Sequence, residues 1–144
     1  SRGLGDVYKR QVMVPKSSNS GIYVMGRYEI QIFDSFGRSG TTTADMGAIY
    51  SVANPPANFC RKPGEWQQFV IEFRAPRFDP SGKKVKDAEF LSVILNGHTL
   101  HHDLVLEKGP TPGGISSEEA PTGPLMFQGN HGPVAYRNIK VFPR

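Results

Sequence analysis

The sequence has a single cysteine, Cys60, which excludes an intrachain disulfide and leaves the redox compartment open. It has no apolar run of membrane-spanning length, so no membrane span is predicted. No stretch longer than ten residues has the apolar spacing of an amphipathic helix. The formal net charge is +4, but the basic residues are scattered and cluster only at Lys83, Lys84 and Lys86. Nucleic acid is therefore not predicted as a partner.

Glycine and proline, by contrast, are frequent, with 16 and 12 copies among 144 residues. They lie between short apolar runs, a pattern typical of a turn-rich β protein rather than of a disordered chain. The length permits one compact domain with a sizeable core, and it is too short for two full domains.

The most informative stretch runs from Asn19 to Ser35. Between residues 22 and 32, a core-type set of side chains alternates with a second set, Tyr23, Met25, Arg27, Glu29 and Gln31. This alternation predicts one long strand with a core face and an open face. The open face carries Arg27, Glu29 and Gln31 in consecutive same-side positions. The core face is predicted to hold Ile22, Val24, Tyr28, Ile30 and Ile32.

Further strands follow along the chain. Phe69, Ile71 and Phe73 alternate, as do Leu91, Val93 and Leu95, and the latter run ends at Asn96-Gly97, a strong hairpin signal. Residues 98–107 then form the returning strand. Residues 109–123 are rich in Pro, Gly and Ser and predict a loop, and residues 125–128 and 136–142 predict a last pair of strands. The sum is an all-β antiparallel sandwich or jelly roll.

The first eleven residues, SRGLGDVYKRQ, show no strand or helix periodicity and change abruptly at Val12. They resemble a translated sequencing-adapter remnant, so we expect residues 1–11 to be a non-native segment with few core contacts. The expected division is this segment followed by one jelly-roll domain over residues 12–144, incomplete at its N-terminus. A signal peptide would then be out of view.

A set of short motifs carries a family resemblance. In chain order these are GRYEIQ, GAIY, PGEW, FRAPRFD, LNG and QGNHGPVAYRNI. Together they resemble the 3-keto-disaccharide hydrolase domain family, also called DUF1080, over residues 19–143. The resemblance implies a concanavalin A-like jelly roll related to lectins and laminarinases, a carbohydrate ligand, and a periplasmic or extracellular location. Asn130 stands where the family often has Asp, and Cys60 where it often has Ser; His131 is retained.

An ordinary two-carboxylate glycosidase mechanism is unattractive for this sequence. Jelly-roll glucanases place their acids close together on one strand, whereas the corresponding positions here are Glu29, Gln31 and Asp34. Glu29 and Asp34 would begin about 16 Å apart on opposite faces, at roughly 3.3 Å per residue, unless a bulge turns Asp34 over. Retaining enzymes need carboxyl groups about 5 Å apart and inverting ones about 6.5 to 9.5 Å.

A 3-keto sugar permits a different route. The ketone acidifies the hydrogen on C2, so elimination of the C1 oxygen needs one base, one group to hold the enolate oxygen, and one acid. Glu29 or His131 is the candidate base, and Arg27 or a bound divalent cation is the candidate enolate partner. The face of Arg27, Glu29 and Gln31 is predicted to form a groove floor, with Gln128 and His131 as its wall.

The other candidates are weighed against structural roles. Tyr50 is a candidate for lining the groove, and Arg137 either braces the last strand or reaches the ligand. The single tryptophan, Trp66, is expected more in the core than on a sugar. The cluster of His98, His101, His102 and Asp103 splits over two strand faces, so no metal site is predicted there.

Three functions therefore remain open. The first is a hydrolase acting on 3-keto-glycosides through elimination and hydration across C1 and C2. The second is a non-catalytic carbohydrate-binding jelly roll, which Asn130 favours, since a fold alone does not confer activity. The third, an ordinary endoglucanase, is weakened by Gln31.

Overall fold

The computed structural model describes residues 5–143, and in that range it contains ten strands and no helix. The strands are β1 (Asp6–Met13), β2 (Asn19–Val24), β3 (Tyr28–Phe33), β4 (Trp66–Arg74), β5 (Arg77–Phe78), β6 (Lys84–Lys86), β7 (Glu89–Leu95), β8 (His98–Val105), β9 (Met126–Phe127) and β10 (Ala135–Phe142). Accordingly, no helix of this range is long and apolar enough to cross a membrane.

The strands form two main antiparallel sheets. The larger sheet has the order β10-β1-β4-β7-β8, the smaller has the order β3-β2-β9, and β5 pairs with β6 in a separate ribbon. Their buried faces meet in one core, where the Tyr28 ring lies 5.3 Å from the Phe73 ring. The predicted all-β antiparallel jelly-roll sandwich is confirmed.

Alternation explains how β4 faces the core. Phe69, Ile71 and Phe73 are buried, while the two residues between them are half-buried. Burying three such side chains contributes about 1.5 to 3 kcal/mol each, because each removes apolar surface from water. The predicted turn at Asn96-Gly97 is also present, with φ values of 52° and 84°. These left-handed values are those that a two-residue hairpin turn needs.

The single long strand predicted over residues 22–32 is wrong. The chain instead turns at Met25 and Gly26, whose φ values are 57° and 66°, and it returns as β3. Because Val24 pairs with Tyr28, the even-numbered residues of both strands face the core. The predicted core set is therefore correct, although it belongs to a hairpin.

The expectation that residues 1–11 lack regular partners is wrong from Asp6 onward. Strand β1 lies inside the larger sheet, pairing with β10 on one side and with β4 on the other. Any sequence that adopts extended backbone can satisfy these main-chain hydrogen bonds, so the pairing does not depend on a periodic side-chain pattern. The adapter-like origin expected for residues 1–11 concerns their sequence and stays a prediction. Residues 1–4 lie outside the described range.

Two smaller expectations also fail. A register shift between β4 and β7 turns Phe90 inward in place of Leu91, which is only partly buried. The last two strands do not pair with each other, because β9 joins β2 and β10 joins β1. The chain between them crosses from the smaller sheet to the larger one and carries His131.

Candidate functional site

The site lies on the face of the β2–β3 hairpin that points away from the core. Cross-strand pairing places Tyr23 opposite Glu29, and Gly21 opposite Gln31. Side chains that face each other in such a pair have Cβ atoms about 5 Å apart, within contact distance. The hairpin thus collects polar groups from two strands on one surface.

Residues 42–50 cover the open edge of this hairpin. Gly47 N donates to Gln31 O at 2.9 Å, Gln31 N donates to Ala48 O at 2.8 Å, and Tyr50 N donates to Glu29 O at 3.1 Å. The Gln31 side chain adds a bond from Nε2 to Ala44 O at 3.1 Å. These contacts fasten the segment along β3, so it forms a fixed wall.

Together these elements enclose an open pocket of about 410 Å³. That volume is in the range of small-molecule sites. The predicted candidates Glu29, Gln31, Tyr50, Gln128 and His131 are all brought to this pocket. The complete lining is Asn19, Tyr23, Glu29, Gln31, Phe33, Arg38, Ala44, Asp45, Tyr50, Pro112, Gly113, Gln128 and His131.

Glu29 is a buried ionisable group of the pocket. Its side chain is 3 % exposed, and burial raises the pKa of its carboxyl, an effect that a hydrogen bond from Tyr23 partly opposes. Its backbone is held by Thr111, whose Oγ1 accepts from Glu29 N at 2.9 Å. A Cβ atom at Gly21 would collide with Glu29 Oε2, so the carboxylate occupies the space that this glycine leaves free.

A second carboxylate lies on the covering wall. Asp45 is buried, and its Oδ1 accepts from Arg38 Nη1 at 2.9 Å, while its Oδ2 accepts from Thr42 N at 2.8 Å. The Arg38 guanidinium also lies 5.2 Å from the Phe33 ring centroid. The pair therefore presents a fixed cation, half exposed, at the pocket.

Three predicted site residues lie elsewhere. Arg27 is in the hairpin turn, where Nε donates to Glu118 O at 2.7 Å and Nη1 to Met25 O at 3.1 Å, so it fastens loops. Asp34 follows β3 and accepts backbone bonds, including one from Ser17 N at 2.9 Å. Arg137 is on the larger sheet, with its guanidinium 3.8 Å from the Trp66 ring centroid.

The β8 histidines have separate environments. His101 is buried with Nε2 2.8 Å from Gly47 O, and burial lowers its pKa. His98 stacks on Phe59 at 3.9 Å between ring centroids, and His102 is exposed beside Asp103. Over residues 5–143, no group of three or more histidine, cysteine or carboxylate side chains converges as a metal site.

The sequence analysis missed Tyr23, Arg38, Asp45 and Gly21. Recognising Met25-Gly26 as a turn would have placed Tyr23 opposite Glu29, because residues equidistant from a turn pair across a hairpin. Arg38 and Asp45 belong to irregular chain, where no periodicity indicates which side chains meet.

An antiparallel jelly-roll sandwich with a polar pocket on its smaller sheet belongs to an architecture that also includes lectin domains. Comparison with family models gives the finer assignment. Residues 7–142 match the model described as a 3-keto-alpha-glucoside-1,2-lyase-like domain. The chain belongs to this family, and the sequence-based resemblance is confirmed. No curated protein matches the chain significantly.

Similar solved structures come from Parabacteroides distasonis ATCC 8503, each described as that of a candidate glycosyl hydrolase. One is 27 % identical with a TM-score of 0.83, and the match covers 98 % of this chain and 64 % of the other. A second is 21 % identical with a TM-score of 0.67, covering 98 % and 79 %, and a third is 20 % identical with a TM-score of 0.66, covering 97 % and 72 %. The last two support the fold alone. This chain spans less than two thirds of the length of the first of these structures.

Proposed function

We propose that this domain cleaves 3-keto-α-glucosides by eliminating the glycosidic oxygen across C1 and C2, followed by addition of water. The observation that carries the proposal is Glu29, one buried carboxylate with a raised pKa at the floor of a pocket. A raised pKa makes a carboxylate a stronger base, as removal of a carbon-bound proton requires. The family model points to the same substrate class.

The proposed steps use side chains of the pocket. Glu29 takes the proton from C2, and the electron pair of that bond forms the enolate of the C3 ketone. Collapse of the enolate breaks the bond from C1 to the glycosidic oxygen, and His131, exposed in the chain between β9 and β10, gives that oxygen its proton. Water then adds at C1, His131 takes its proton, and Glu29 returns its proton to C2. Atoms and charges balance over the cycle.

The proposed enolate partner is Arg38, whereas the sequence analysis named Arg27 or a bound divalent cation. Arg27 is occupied with loop carbonyls, whereas Arg38 lines the pocket and is held by Asp45. Gln31, Tyr50 and Gln128 are proposed to bind sugar hydroxyls, since amide and phenol groups both donate and accept hydrogen bonds. Asp34 and Arg137 are given no part in the reaction. A secreted location remains a proposal from the family resemblance.

Glu29→Gln tests this proposal, because the amide keeps the shape and removes the base. With a 3-keto-α-glucosyl disaccharide, we expect kcat to fall by about 10³-fold while binding stays within a few-fold. Release of free sugar is the measurement, and His131→Ala should reduce both turnover and binding. Glu65→Gln, an exposed glutamate beside β4, is the matched control and should retain full activity. A fully active Glu29→Gln would remove Glu29 as the base and make His131 the leading candidate.

A carbohydrate-binding module is the second candidate function. Asn130 favours it, because an amide beside His131 supplies no base where the resembled family often has a carboxylate. Under this function, wild-type protein would bind the 3-keto-disaccharide saturably in calorimetry and release no sugar.

A further inference from the structure

Tyr23 and Glu29 lie side by side in the pocket. Tyr23 is 1 % exposed and stands directly opposite Glu29 in the hairpin, where hydrogen bonding with the Glu29 carboxylate contributes to the raised pKa of its phenol. Both side chains line the same pocket. A phenol hydroxyl in this position can donate its hydrogen bond either to the candidate base or to a ligand bound in the pocket.

The loop after β8 encloses the Tyr23 hydroxyl. Gly113 has a φ of 87°, and a Cβ atom there would lie 3.0 Å from Tyr23 Oη. The loop is fastened to the hairpin turn by Thr111 N, which donates to Arg27 O at 2.9 Å, and by Ile115 N, which donates to Gly26 O at 2.8 Å. The hydroxyl therefore lies beside a fixed loop backbone, and the Tyr23 side chain lines the pocket.

The raised pKa of Tyr23 keeps its hydroxyl available as a hydrogen-bond donor. Burial, and then the hydrogen bond with Glu29, raise the pKa of the phenol above its ordinary value of 10.0. Tyr23 consequently stays protonated at neutral pH and has one hydrogen to donate. The strongest acceptor within its reach determines where that hydrogen points.

During the proposed elimination, that acceptor changes. At rest, the negative charge is on the Glu29 carboxylate. After Glu29 takes the C2 proton, the carboxyl is neutral and the charge lies on the oxygen of C3, the carbon bonded to the deprotonated C2. Hydrogen bonds to a charged acceptor are about twice as strong as neutral ones, so the phenol hydrogen follows the charge.

We propose that Tyr23 is a catalytic residue, whose hydroxyl donates to Glu29 in the resting site and to the C3 enolate oxygen once Glu29 is protonated. This inference rests on the proposed function. The proposed change is a rotation about the phenol C–O bond, and no proton leaves Tyr23. Donors aimed at developing charge are often the largest single contribution to catalysis.

Tyr23→Phe tests the role, with Tyr28→Phe as the matched control. Both are on the same hairpin, but the Tyr28 hydroxyl binds Glu119 on the core side and does not line the pocket. For Tyr23→Phe, we expect kcat to fall by about 10²-fold with KM within a few-fold. The acid limb of the kcat/KM profile should move to higher pH, because the bond that lowers the pKa of Glu29 is lost. Tyr28→Phe should leave kcat within a few-fold and the limb unmoved.

A second measurement does not depend on turnover. Carboxyl NMR titration of Glu29 should give a higher pKa in Tyr23→Phe than in wild type, and an unchanged one in Tyr28→Phe. Unaltered kcat in Tyr23→Phe, with an active wild type, would overturn the role of Tyr23 alone. A fall in kcat without a pKa change at Glu29 would also overturn it, because Tyr23 would then only shape the pocket. An inactive wild type would overturn the proposed function together with this inference.

Discussion

Two strands each bury one charged side chain almost completely, and the two burials are opposite in kind. Glu29 on β3 has Tyr23 as a hydrogen-bond partner and faces a pocket. Arg10 on β1 is 1 % exposed and faces the core, where no hydrogen-bond partner among the described residues meets its Nε, Nη1 or Nη2. The presence of a hydrogen-bond partner thus distinguishes the buried charge of Glu29 from that of Arg10.

The Arg10 guanidinium is surrounded by aromatic rings rather than by hydrogen-bond acceptors. Its guanidinium lies 5.8 Å from the Tyr8 ring centroid and 5.5 Å from that of Phe127, and burial lowers its pKa to about 10. Ring faces compensate only part of the cost of removing a cation from water.

Arg10→Met should produce the largest change in stability. Methionine keeps the length of the side chain and removes the unpaired charge, so we expect the free energy of unfolding to rise by about 3 kcal/mol. Urea denaturation would show a higher midpoint at an unchanged slope. Lys9→Met, one residue away on the exposed face, is the control and should stay within about 0.5 kcal/mol. A loss of stability in Arg10→Met would mean that the guanidinium has a partner that matters.

Gly21→Ala should lower catalytic activity more than it lowers the stability of the fold. The added methyl meets Glu29 Oε2, the far end of a flexible side chain, so the carboxylate moves while the backbone remains. We expect kcat to fall by about 10²-fold, equivalent to roughly 2.7 kcal/mol, and stability to change by less than about 1 kcal/mol. Gly40→Ala, where a Cβ atom meets nothing within 4 Å, is the control for steady-state kinetics. Equal kcat values for the two variants would show that the carboxylate position is not critical.

The contrast between β3 and β1 also explains which predictions the sequence supported. Alternation at Ile22, Ile30 and Ile32 identifies the core face because a strand has a period of two. The same rule assigned Glu29 and Gln31 to one face, and both line the pocket. In β1, the inward positions are Tyr8, Arg10 and Val12, so one arginine hid the alternation.

Other features could not be predicted from local patterns. Arg38 meets Asp45 because residues 42–50 fold back along β3, and this depends on main-chain bonds at long range. Arg27 carries a charge suited to an enolate partner, yet its position in the turn directs it to loop carbonyls. Residue type thus indicated which chemistry was available, and tertiary structure decided which residues share the pocket.

Glu29→Gln should give a small change in stability but the most specific one, because the size of that change depends on pH. The pKa of the native carboxyl is raised above its ordinary value of 4.5, so the native state holds the proton more tightly than the unfolded state. Wild-type stability therefore decreases as pH rises from below 4.5 through the native pKa. Glutamine does not titrate, so the stability of the variant does not decrease in this way as pH rises.

The variant should consequently match wild type below pH 4 and exceed it at pH 7, by about 1 kcal/mol, the usual scale of a stability gain at an active-site position. Urea denaturation at several pH values measures the gap. A gap that is constant with pH would assign the effect to the shape of the amide rather than to the buried charge. A gap that closes as pH rises would mean that the carboxylate is stabilised in the native state, which would remove the physical basis for treating Glu29 as an activated base.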